Sequence, residues 1–67
     1  MDIIQIDGDT ATVRVKAAEV AVLANALNEA REAIEAWEFS SRVGASVAEA
    51  DVLRRALLVL LERLEPA

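Results

Sequence analysis

The 67-residue sequence predicts an α+β fold, an N-terminal β-hairpin followed by an antiparallel pair of α-helices. Two observations carry that reading. The hydrophobic period changes from two to between three and four near Ala17, and a helix-start signature appears at Ser46. No repeat, low-complexity tract or linker interrupts the chain. Residues 1–67 therefore read as one domain, with 1–16 as the hairpin, 17–43 as the first helix and 46–64 as the second.

The hairpin rests on alternation and turn chemistry. Ile4 and Ile6 flank Gln5, while Ala11, Val13 and Val15 alternate with Thr10, Thr12, Arg14 and Lys16. Asp7-Gly8-Asp9 lies between the arms, where Gly and Asp tolerate the positive φ of a tight turn. A two-residue loop, either Asp7-Gly8 or Gly8-Asp9, places Ile4 and Ile6 on the same face as Ala11 and Val13. A three-residue loop without a bulge sets the threonines opposite the isoleucines, so the even loop is expected.

The first helix is rich in alanine and free of Gly and Pro from Ala17 to Val43. Val20, Leu23, Leu27, Ile34 and Trp37 trace its apolar stripe, with Ala24 and Ala30 filling it. Glu19 falls in the first turn, where the helix dipole favours an anion. Gly44 is the first residue suited to end the helix in the left-handed conformation. The second helix opens with Ser46-Val47-Ala48-Glu49, a capping box, and closes before Pro66. Leu53, Leu57, Leu60 and Leu64 form its main stripe, but Leu58, Val59 and Leu61 make it apolar on a second side. A helix apolar on two sides is expected to be covered on both, which predicts a homodimer using Leu58, Val59 and Leu61. Length adds a constraint: the first helix is about 10 Å longer than the second at 1.5 Å per residue. Either it breaks near Trp37–Ser40 or a partner covers the overhang.

Composition narrows the function classes. Apolar residues make up 55% of the chain and charged ones 28%, with mean hydropathy +0.32. Cysteine and histidine are both absent, which removes disulfides and the common soft metal ligands. A net charge of −5 opposes phosphate-backbone binding, so no nucleic-acid partner is expected. The longest apolar run, Ala56–Leu61, is far short of the roughly 20 residues that span a bilayer. With no basic leader at the N-terminus, the expected location is the cytoplasm, away from membranes.

Catalytic chemistry finds little purchase. Glu29, Glu32, Glu35 and Glu38 recur every three residues, but steps of three fan across roughly half a helix instead of converging. They read as a solvated acidic face and as no metal site. Ser40, Ser41, Ser46, Thr10 and Thr12 lack a His or Cys partner, and Lys16 is the only lysine. No catalytic residue and no cofactor is therefore expected. Arg54-Arg55 is the only basic doublet, with Asp51 placed to pair with Arg55 along the helix. Asn25 and Asn28 are poor interior helix residues; with Glu29 and Glu32 they form a candidate partner-binding patch. Trp37 is expected in the core from its place on the stripe. Phe39, off that stripe, is the aromatic expected to contact a partner.

Ala26-Leu27-Asn28-Glu29, followed by Glu38-Phe39-Ser40-Ser41-Arg42-Val43-Gly44, resembles a group of small, largely uncharacterised bacterial proteins. These share an LNE…EFxxRxG pattern after a short hairpin and end in a Leu-rich helix. Some of that group resemble immunity or accessory proteins of bacterial toxin systems. The resemblance implies a bacterial source and a binding role, and it transfers no catalytic residue. Ala30-Arg31-Glu32 stands where the group often carries a glycine-containing break, which favours a continuous first helix here. The reading that follows is a non-enzymatic, acidic protein-binding module, possible partner of a basic protein such as a toxin. The alternative is a self-assembling structural or regulatory homo-oligomer.

Overall fold

The structure, a computed structural model, describes residues 1–65. Strands β1 (Asp2–Asp7) and β2 (Thr10–Arg14) form an antiparallel hairpin, followed by helices α1 (Ala17–Ala33), α2 (Ala36–Val43) and α3 (Val47–Arg63). Pro66, expected to stop the last helix, lies outside the described residues.

Asp7 pairs with Thr10, so Gly8-Asp9 is the two-residue loop. Gly8 takes φ 62°, and among the described residues no non-glycine has positive φ; positive φ at the first loop position alone is the type II′ pattern. The Thr10 hydroxyl donates to the Asp7 carbonyl at 2.8 Å and braces the turn. A bulge between Ile3 and Gln5 pairs Ile3 with Val13 and leaves Ile4 as the extra residue. The bulge gathers Ile3 and Ile4 onto the face of Ile6, Ala11 and Val13. Asp2, Gln5, Asp7, Thr10, Thr12 and Arg14 occupy the other face.

The expected long first helix is two helices. At 17 residues each, α1 and α3 are both about 26 Å long, so the overhang is removed by a break within the chain. The break falls at Ile34-Glu35, earlier than Trp37–Ser40, where both residues adopt extended ψ values of 129° and 141°. β-Branched Ile34 tolerates that geometry well, and its N–H still donates to Ala30 O at 3.0 Å. At the end of α2, Gly44 adopts φ 87° and donates its N–H to Ser40 O at 2.9 Å. The helix is thus closed by a left-handed glycine as expected.

α1 and α3 pack antiparallel. The C-terminal turn of α1 meets the N-terminal half of α3 through Arg31 and Asp51, whose Nε and Oδ1 are 2.9 Å apart. At the other end Ala17 and Ala21 share a groove with Leu61 and Leu64. Asp51 therefore bonds across the helix pair, correcting the expected pairing with Arg55. α2 packs on both long helices. Val20, Ala24, Phe39 and Ala50 are the buried residues among those described.

Candidate functional site

The break after α1 resets the helical phase and reverses the roles of the two aromatics. Phe39, expected on the surface, is 1% exposed and fills the space where α2 meets α1 and α3. Trp37, expected in the core, is 80% exposed near the start of α2. Phe39 is therefore unable to contact a partner at the surface, and Trp37 is the exposed aromatic instead. A break at two unremarkable residues, with neither Gly nor Pro, left only helix length as a sequence signal for this reversal.

The rest of the predicted patch is split. Asn25, Glu29 and Glu32 are exposed and follow one another at helical spacing along α1, while Asn28 is half-buried at the patch margin. Glu35 stands at the N-cap position of α2 without a side-chain capping bond and is exposed as well. Glu38 is half-buried and approaches Arg42, one turn on, at 3.8 Å. The exposed acidic groups thus run from the C-terminal half of α1 into the α1–α2 corner, directly before Trp37 in the chain.

The predicted oligomer residues also divide. Leu58 and Leu61 are half-buried on the α1-facing side of α3, whereas Val59 points away, 48% exposed. The uncovered stripe of α3 is Val52, Leu53, Val59 and Leu60. The helix is apolar on two sides, as its sequence requires, but Leu57 and Leu58 face inward while Leu53 and Leu60 face out. Arg54 lies on the inward side, and its buried Nε has no hydrogen-bond partner.

Two shallow grooves border the N-terminal turns of α1. One, of about 690 Å³, is lined by Val15, Lys16, Ala17, Ala18, Ala21, Leu61, Leu64 and Glu65. The other, of about 350 Å³, is lined by Met1, Ala18, Glu19, Val22 and Leu23. Glu19 closes one side of the second groove, where its carboxylate accepts from the Met1 ammonium and from the Lys16 N–H, the latter at 2.9 Å. The ammonium first, and then the backbone N–H, hold its pKa below the ordinary 4.5. Neither groove gathers the acid, base and nucleophile that a reaction needs.

Among the described residues no three His, Cys, Asp or Glu side chains converge to hold a metal. No helix among the described residues is long and apolar enough to cross a membrane. No protein-family model, curated protein or solved structure matches the chain. Its role is therefore argued from its own surface.

Proposed function

We propose that the protein is a non-enzymatic binding module of the cytoplasm that docks a more basic protein at the α1–α2 corner. It acts by covering that partner, in the manner of an immunity protein or antitoxin. The observation that carries the reading is Trp37, 80% exposed and preceded by the exposed Glu29, Glu32 and Glu35. A buried Trp contributes 150–250 Å² of contact and is among the commonest interface anchors. The carboxylates supply the charge complementarity that speeds encounter with a basic surface. The absence of His, Cys and Tyr, with a single lysine, supports a binding role over a catalytic one.

The test is retention of a basic partner from extracts of the source cell by tagged wild type, Trp37→Ala and Glu29→Lys/Glu32→Lys. Both variants are expected to fold, because all three side chains are exposed, and to lose the partner. The wild-type complex should weaken as salt rises. Retention unchanged in both variants would remove the corner from the binding surface. A second reading, a self-assembling homo-oligomer with no dedicated target, is favoured by a separate observation, the uncovered apolar face of the hairpin.

A further inference from the structure

The geometry points to a second copy of this chain as the occupant of the hairpin's apolar face, with the two hairpins packed face to face. Ile3, Ile4, Ile6 and Val13 are all exposed, Ile3 to 70%, and with Ala11 they form a face that carries no charge. No helix covers it: among the described residues the strands approach each other and no helix. A two-stranded hairpin by itself is marginal in water, so this element needs a covering surface more than any helix does.

Three features fit a second copy meeting this face. The first is area. The chain exposes 5373 Å², against about 4,100 Å² for a compact monomer of 7.2 kDa. The surplus of roughly 1,300 Å² belongs to the whole chain, the hairpin face being one part of it, and exceeds the roughly 800 Å² that one partner contributes to a standard stable interface. The second is charge. Two chains of net charge −5 repel, so a self-contact must use an uncharged patch, and this face is one. The third is the bulge at Ile3–Gln5. It interrupts the free edge of β1, which disfavours edge-to-edge pairing and leaves the apolar face as the contact. A twofold interface of this kind uses the same patch on both subunits.

The inference goes beyond the proposed corner site and is tested without any partner protein. Sedimentation of the purified chain is expected to give twice 7.2 kDa. Ile4→Lys/Ile6→Lys should halve that mass and leave the helical circular dichroism unchanged, because no helix touches the strands. Ile6→Thr, which keeps β propensity, should weaken the dimer about tenfold or more, as about 1.4 kcal/mol is tenfold. Leu53→Lys/Leu60→Lys, on the outward side of α3, should remain dimeric. A monomeric wild type at the highest concentration would overturn the inference. So would hairpin variants that stay dimeric, or dissociation by the α3 variant alone. Partner retention at the corner is read separately, so either proposal can fail without the other.

Discussion

Ser46 and Glu49 start α3 through two reciprocal bonds. The Glu49 N–H donates to Ser46 Oγ and the Ser46 N–H donates to Glu49 Oε1, both at 3.1 Å. Each bond satisfies a backbone donor that the first helical turn would otherwise leave unpaired. The bonds from Ser46, its backbone N–H first and its hydroxyl second, hold the Glu49 carboxyl below its ordinary 4.5. Because the folded value is lowered, this support is complete above about 4.5 and fades as pH falls through the depressed value. Nuclear magnetic resonance titration should place the Glu49 midpoint below 4.5. The stability gap between wild type and Glu49→Ala should be constant at neutral pH and close on acidification. Ser46→Ala should cost about 1 kcal/mol in urea unfolding. Arg54 is the opposite case, since a buried donor without a partner costs free energy that the rest of the fold must offset.

At the scale of elements the α1–α2 corner decides most of what the surface presents. An uninterrupted helix would carry Trp37 inward along the Val20–Ile34 stripe. Two extended residues at Ile34-Glu35 turn the chain and bring Phe39 beneath α2 instead. In a core whose buried members include only one aromatic, Phe39 carries much of the packing. Phe39→Ala should destabilise the fold by about 3–5 kcal/mol, enough to unfold a small domain. Trp37→Ala should stay within about 0.5 kcal/mol, as expected for an exposed site. Denaturant midpoints of the two variants check this directly, and equal losses would contradict the corner geometry. The break also equalises α1 and α3, which lets Arg31 meet Asp51 across their ends. That pair is partly exposed, at 51% and 27%, so it contributes about 0–1 kcal/mol and orients the helices more than it stabilises them.

As a whole the molecule is thin. Its extents are 36 × 30 × 15 Å, little more than the 10–12 Å diameter of one helix in the shortest direction. Stable domains pack two layers around a core, and here α2 supplies only part of a second layer. With 67 residues, no disulfide and no histidine or cysteine for a metal, support for so small a core is left to association or to unusually good helix packing. If a second copy covers the hairpin, thermal stability is linked to concentration by mass action. The melting temperature of the wild type should therefore rise with protein concentration. That of Ile4→Lys/Ile6→Lys should be lower and independent of it.

Much of the fold is legible in the residues because its signals are local. Alternation and the Gly8-Asp9 turn specify the hairpin, an alanine-rich run specifies α1, Gly44 ends α2, and the Ser46–Glu49 box starts α3. Each depends on backbone geometry within a few positions, and each stands in the structure where the sequence indicates, except that α1 ends at Ala33 instead of running on to Val43. The surface is less legible. Whether Trp37 or Phe39 faces inward, and whether Leu58 or Leu60 faces α1, depends on helical phase. A two-residue break at Ile34-Glu35 shifts that phase for every residue of α2 without a Gly or Pro to mark it. The sequence by itself determined the hairpin, the starts of the first and last helices, the glycine that ends α2 and the two-sided apolar character of the last helix. Only the tertiary structure decided which apolar side is spent on the core and which is left uncovered. The period of a helix specifies spacing, whereas its rotation is set by what it packs against.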